Sequence, residues 1–220
     1  MAQHCEGAEY RASNHAGSWY PGTARELTET IRAYLQAAKC KAWGEIYGLV
    51  SPHAGYIYSG PVAAYAYKTV EGKEFDDVIV IGPSHQYGFS GASVDMAAGR
   101  KTPLGIIEFD QELAQRLTKE SKIIVYEPAA HAAEHSVEIQ MPFLQIALKK
   151  FKAVEIIMGS QDYKTCEALS RAIVEATKGK KVLVVASSDL SHYHPQKEAE
   201  GLDGLVVDAV RQFDPQGLYR

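Results

Sequence analysis

The sequence has few cysteines, no long apolar run and no excess of basic residues. Its three cysteines (Cys5, Cys40 and Cys166) are odd in number and lack metal-ligand spacing, which predicts reduced thiols in a cytoplasmic protein. No apolar stretch approaches the roughly 20 residues of a membrane span, and the first ten residues lack a signal-peptide core. A net charge of −4 without clustered Lys and Arg argues against a nucleic-acid or anionic-membrane surface.

Common phosphate-binding and nucleophile motifs are also absent. No Gly-x-Gly-x-x-Gly follows a predicted strand, no Walker A lysine loop occurs, and nothing resembles the nucleophile elbow of hydrolases. What is present is an ordinary globular composition, 46% hydrophobic and 23% charged over 220 residues. Because neither a repeat nor a linker interrupts the chain, we treat residues 1–220 as a single domain.

Hydrophobic periodicity predicts strands that alternate with helices, beginning with a helix after the capping-box pair Thr23 and Glu26. Pro142 should kink one of these helices or mark its start. Alternation of this kind is typical of an α/β fold, with a largely parallel sheet covered on both faces. The predicted strands are 46–52, 77–82, 122–126, 153–158 and 181–186. The helices predicted after the first one are 60–70 (starting at Gly60-Pro61), 110–120, 135–150, 165–178 and a last helix that begins at residue 197. Residues 91–109 are predicted to form short strands or a loop.

Three of the predicted strands are each followed, within a few residues, by a histidine. "YGLVSPHAGYIYSG" contains His53, "DVIVIGPSHQYGFSG" contains His85, and "VLVVASSDLSH" ends on His192. Ligands of such sheets bind beyond the carboxyl ends of the strands, so parallel neighbours would bring these histidines to one edge. Two imidazoles there could bind one divalent metal ion, whereas the alternative is that they are loop histidines capping backbone carbonyls.

Asp189 lies three residues before His192, close enough for its carboxylate to orient the ring. His192 is then a candidate third ligand or a general acid/base, although Asp189 could equally cap the following turn.

In "HAAEHSVEIQ", the simplest interpretation of Glu134 and His135 is that they form the start of a helix. Alternatively, either residue could form a hydrogen bond with the ring nitrogen of a ligand histidine that does not bind the metal. Trp19 and Tyr58 are the aromatic residues that we expect to line the pocket.

Five segments in this order, AGSWYP, SPHAGYIYSG, GPSHQYGFSG, EHSVEIQMPFLQ and SSDLSH, resemble the Memo family over nearly the whole chain. That family is similar in fold to the class III (LigB-type) extradiol dioxygenases, which implies a three-layer α/β/α arrangement with a largely parallel or mixed central sheet. The resemblance implies that His53 and His85 are metal ligands and that His192 is the acid/base, with Asp189 beside it.

For function, the resemblance implies a redox or oxygenase-like activity on an unknown small substrate, with iron(II) as the expected metal, copper or zinc as alternatives, and no organic cofactor. Two other readings stay open: a module that binds a peptide or protein in the same pocket without turnover, and a zinc hydrolase. The expected partners are a small molecule or peptide, a radical SAM protein and an AMMECR1-like protein, with no nucleic acid and no membrane.

The sequence departs from the family pattern at the third ligand. The family has a cysteine near its carboxyl end, whereas the last cysteine here is Cys166, inside a predicted helix. The final residues, FDPQGLYR, read like the opening of another helix. We therefore expect that a carboxyl-terminal segment is missing, and that two imidazoles alone bind metal weakly.

Overall fold

A mixed six-stranded sheet lies at the centre of the computed structural model, which describes residues 9–41 and 44–219. Its strands are β2 (Gly48–Ser51), β3 (Glu74–Pro83), β4 (Ala92–Val94), β7 (Ile124–Val125), β8 (Lys150–Met158) and β9 (Val182–Ser187), in the order β2-β9-β3-β8-β4-β7. All neighbours are parallel except β4 and β8. A smaller sheet joins β1 (Tyr10–Arg11), β5 (Gly99–Thr102) and β6 (Gly105–Glu108).

The helices begin where the sequence offers a cap. Thr23 accepts a hydrogen bond from the Glu26 amide, as its capping-box spacing predicts, and Asp110 and Asp162 cap two later helices. Within the described residues, no helix is both long and apolar enough to cross a membrane. The helices are α1 (Ala24–Ala37), α2 (Tyr56–Lys68), α3 (Gln111–Glu120), α4 (Pro128–Ala132), α5 (Met141–Ala147), α6 (Tyr163–Ala176) and α7 (Gln196–Arg211), with 3-10 turns at Glu138–Gln140 and Gly217–Tyr219.

Two hydrophobic cores lie on opposite faces of the sheet, because side chains alternate along a strand. Val78 and Val80 of β3 pack into one core with α1, α2 and α5, while Ile79 packs into the other with α3 and α6. The result is an α/β fold of three layers, which confirms the predicted fold class. Cys40 and Cys166 are free thiols, and Cys5 lies outside the described residues.

One predicted helix start was wrong, and one of the two alternatives for another helix was confirmed. Helix α2 begins at Tyr56 and not at Gly60-Pro61, because the Tyr56 amide is anchored on the Trp19 carbonyl at 2.8 Å. Pro61 lies inside α2, where it removes one backbone hydrogen bond. The helix predicted over 135–150 begins at Met141, which confirms the alternative that Pro142 marks its start. Pro142 fits the first turn because an amide there has no partner within the helix.

Strands β2, β9 and β3 are parallel neighbours, with Ser51 paired to Ser187 and Ile81 to Ala186. Their carboxyl ends therefore meet at one edge of the sheet, as the sequence-based argument required. The residues that follow these three strands form the site described next.

Candidate metal centre

The segments that leave the three parallel strands line one pocket of about 460 Å³. His53 follows β2 by two residues, His85 follows β3 by two, and Asp189 follows β9 by two. The ring centroids of His53 and His85 lie 5.2 Å apart. The pocket is lined by Ser18, Trp19, His53, Ala54, Gly55, Ile57, Tyr58, His85, His135, Asp189 and His192.

A third ring, that of His135, joins the pair. It comes from the segment between α4 and the 3-10 turn, and its centroid lies 4.4 Å from that of His85 and 5.5 Å from that of His53. One ring nitrogen from each of these three residues lies within 4.8 Å of the other two. We call His53, His85 and His135 the rim histidines. The sequence analysis took His135 as part of a helix start or as a residue that supports the ligands, and did not predict it as a ligand.

The buried carboxylate of Glu134 holds two of the rim histidines. Its Oε2 accepts from the His85 amide at 2.6 Å, and its Oε1 lies 2.9 Å from His85 Nδ1. The same oxygen accepts from the amides of His135 and Ser136 at 3.0 and 2.9 Å. Burial raises the pKa of Glu134, but these hydrogen bonds outweigh it and the net pKa is lowered. An ionised Glu134 only accepts, so His85 donates to it from Nδ1, and Nε2 is the ring nitrogen on the side away from Glu134 that a metal could use.

Burial favours the neutral form of His53 and His135. It lowers the pKa of His53, and it lowers the pKa of His135 to about 4, with a further lowering from His85 and His53. His53 is held at both ends, since its amide donates to Asp189 Oδ1 at 2.7 Å and its Nδ1 lies 3.0 Å from Ser187 Oγ. Neutral imidazole is the form that binds metal ions.

His192 lines the same pocket but stands apart from the rim histidines. Its side chain is 57% exposed, and its Nε2 lies 3.5 Å from Asp189 Oδ2. That same oxygen lies 3.9 Å from His53 Nε2, so Asp189 stands between the two rings. The structure thus pairs Asp189 with His192, while the acid/base role itself stays a prediction.

The two aromatic residues expected in the pocket occupy different depths. The Trp19 ring lies against His135, with centroids 4.3 Å apart and planes 36° apart. Tyr58, on the first turn of α2, is 79% exposed and lies at the mouth.

The donor set of the rim histidines suits a divalent metal ion. Imidazole nitrogens bind zinc at about 2.0–2.1 Å, so two ligands of one ion lie roughly 3–4 Å apart. Donors within 4.8 Å of one another need only a small inward movement of the rings. Imidazole suits zinc, copper, iron and nickel alike, so the ligands by themselves do not select one of them.

A second group of residues could also bind a metal ion by its geometry: one ligand atom from each of Asp95, His131 and Glu155 lies within 4.8 Å of the other two. It is fully buried among arginines: Arg11 donates to both oxygens of Asp95, and Arg100 donates to both oxygens of Glu155 at 2.6 and 2.7 Å. Arg100 also reaches Glu138 at 3.1 Å. We call Asp95, His131, Glu155, Arg11, Arg100 and Glu138 the buried ion cluster. The sequence analysis did not predict this cluster.

Comparison with known proteins places the chain in one family. Residues 11–220 match the family described as Memo-like protein. A MEMO1 family protein of Nitrosopumilus maritimus is 35% identical over 210 residues, which cover 93% of this chain and 76% of that protein. One of Methanococcoides burtonii is 40% identical over 209 residues, with the same two coverages. The chain therefore belongs to the Memo family.

Proposed function

We propose that this chain binds one divalent metal ion through His53, His85 and His135, and uses it for an oxygenase-like redox reaction on a small substrate. The observation that carries the proposal is the meeting of three imidazoles, each with a nitrogen within 4.8 Å of the others, in an open pocket of about 460 Å³. A metal bound there would supply Lewis acidity and redox chemistry next to space for a substrate.

The third imidazole changes the expected affinity. Two neutral imidazoles were expected to bind metal weakly, but His135 adds a third donor that needs no cysteine. Glu134 lies behind the ligands and contributes a buried negative charge without being one of them. Iron(II) is our first choice because the family resembles dioxygenases, with copper or zinc as the alternatives.

The residues around the rim histidines would handle the substrate. The exposed His192 can exchange protons with a substrate, and Asp189, 3.5 Å from its Nε2, would stabilise the protonated ring. Trp19 would form the inner wall beside His135, and Tyr58 would limit entry at the mouth.

The direct test is metal binding by protein purified anaerobically. We expect about one iron(II) per chain, measured by elemental analysis and by titration of iron(II), copper and zinc(II). His53→Ala, His85→Ala and His135→Ala should each lose most of this affinity. His194→Ala is the matched control, because His194 pairs with the half-exposed Glu198 outside the pocket.

The outcomes separate the competing functions. Oxygen uptake by the iron(II) form with a panel of catechols, lost in the His85 variant, would support the oxygenase. Tight zinc binding with ester or amide hydrolysis would support a zinc hydrolase instead. Binding of a peptide, a radical SAM protein or an AMMECR1-like protein that is unchanged by metal removal but weakened by the alanine variants would support a binding module that uses the same pocket.

A further inference from the structure

We propose that Ser187 is a positioning residue that holds the His53 ring in the form with its hydrogen on Nδ1, which leaves Nε2 free for the metal. This inference rests on the proposed function for its purpose, but the form of the ring can be measured without any metal. Ser187 is the last residue of β9, and its hydroxyl lies 3.0 Å from His53 Nδ1. That distance alone does not say which of the two atoms donates.

Two backbone carbonyls decide the direction. The Ser187 hydroxyl lies 2.5 Å from the carbonyl oxygen of Ser136, which can only accept, so the single hydroxyl hydrogen goes there. Gln140 Nε2 lies 2.9 Å from the carbonyl oxygen of Pro52, which identifies this end of the amide as the donor. The same nitrogen lies 2.8 Å from Ser187 Oγ and therefore donates to it.

The far end of the Gln140 amide agrees with this orientation. Gln140 Oε1 accepts from the hydroxyl of Tyr67 at 2.7 Å. Tyr67 is fully buried, and burial raises its pKa, so the phenol keeps its hydrogen and donates. Tyr67 thus holds the amide with its NH₂ group towards Ser187.

The hydroxyl of Ser187 then has one role left. It has one hydrogen and two lone pairs: the hydrogen is on the Ser136 carbonyl and one lone pair accepts from Gln140. What faces His53 is the second lone pair, so His53 must donate from Nδ1. Because Ser187, Gln140 and His53 are all at most 3% exposed, bulk water does not compete for these bonds.

Loss of the hydroxyl removes this constraint. In a Ser187→Ala protein, His53 Nδ1 has no acceptor, while Asp189 Oδ2 lies 3.9 Å from Nε2 and can attract a hydrogen there. A hydrogen on Nε2 blocks the lone pair that the metal needs. We expect metal affinity to fall about 10–100-fold, the usual effect of losing a group that orients a ligand.

The experiment reads the ring directly in metal-free protein with ¹⁵N-labelled histidine. Long-range ¹H–¹⁵N correlation spectra at pH 8 distinguish the two neutral forms, and His53→Gln assigns the signal. We expect Nδ1–H in the unmodified protein, mainly Nε2–H in Ser187→Ala, and a return to Nδ1–H in Ser187→Thr. Ser93→Ala is the matched control, because Ser93 Oγ makes the same kind of contact with buried His131, at 2.9 Å from its Nε2.

Each outcome decides the proposal. Nε2–H in the unmodified protein would overturn it, even if Ser187→Ala does not fold. An unchanged ring form in Ser187→Ala would also overturn it, as would a changed ring form with unchanged zinc(II) affinity. If the ring changes as expected but the unmodified protein binds no metal, Ser187 sets the ring form and the proposed function fails.

Discussion

The rim histidines with Glu134 and Asp189, and the buried ion cluster, both combine histidines with carboxylates, yet their surroundings suit them to different tasks. In the buried ion cluster, Arg11 and Arg100 occupy both oxygens of Asp95 and of Glu155, and every member except Arg11 is almost fully buried. Around the rim histidines, within the described residues, neither Glu134 nor Asp189 forms an ion pair with an arginine or lysine.

The difference teaches that the position of the arginines decides what a cluster of histidines and carboxylates can do. A carboxylate that already accepts two N–H groups of a guanidinium has little left for a metal ion. Glu134 instead accepts from amides and from His85, which leaves ring nitrogens facing an open pocket. The ion pairs of the buried ion cluster therefore link strands β1, β5 and β8, whereas the rim histidines keep ring nitrogens available for a metal ion.

Removal of Arg100 should have the largest effect. Arg100→Met leaves Glu155 and Glu138 buried without their cation, and breaking a buried pair in this way costs about 3–5 kcal/mol. We expect a loss of this size in the free energy of unfolding, measured with urea at pH 7. Arg171→Met removes an exposed pair with Glu167 and should cost less than about 1 kcal/mol. Similar losses in both variants would contradict a stabilising role for the buried ion cluster.

Glu134→Gln should weaken metal binding about 10–100-fold with the three ligands intact. The amide cannot accept at both ends, so it loses the bond from the His85 amide or the one from His85 Nδ1. Zinc(II) titration measures the change. Glu198→Gln alters a carboxylate that contacts His194 at 3.1 Å outside the pocket, and its affinity should match that of the unmodified protein. Unchanged affinity in Glu134→Gln would mean that Glu134 does not orient the ligands.

His131 should make the fold less stable in acid. Burial lowers its pKa to about 4, with Arg11 and Arg100 adding to the lowering and Asp95 opposing it. Between that value and the unfolded value of about 6.5, the unfolded chain binds a proton that the folded chain does not, so stability falls as pH falls.

His131→Gln should remove this part of the acid sensitivity. From pH 7 to pH 5, the metal-free unmodified protein should lose on the order of 1–2 kcal/mol more unfolding free energy than the variant. Urea unfolding at both pH values checks this. Parallel losses would show that His131 titrates normally.

His192→Ala should leave most of the metal affinity intact while abolishing turnover. Its exposed ring stands outside the group of three nitrogens and contacts Asp189. Asp189→Asn should lower metal affinity less than the loss of a ligand does, because the amide can keep an oxygen towards the His53 amide. Paired titrations and oxygen-uptake assays separate binding from turnover. A loss of affinity in His192→Ala as large as that in His85→Ala would instead make His192 a ligand.

Much of the site follows from local pattern. An apolar run that ends in Pro-His or Pro-Ser-His predicts a histidine beyond a strand, and parallel neighbours necessarily bring such residues to one edge. His53 and His85 could be found in this way because each lies two residues beyond its strand. The caps at Thr23 and Asp110 are equally local, since a cap and its amide are three residues apart.

The sequence by itself thus determined the α/β class, the family and the two strand-end histidines, all of which depend on short-range spacing or on ordered motifs. Only the tertiary structure decided that His135 joins them, that Arg100 neutralises Glu155, and that helix α2 begins at the Trp19 carbonyl. These contacts join residues 37 to 82 positions apart, and no local periodicity encodes such a distance. The physical reason is that a buried polar group takes whichever partner the packed layers bring to it.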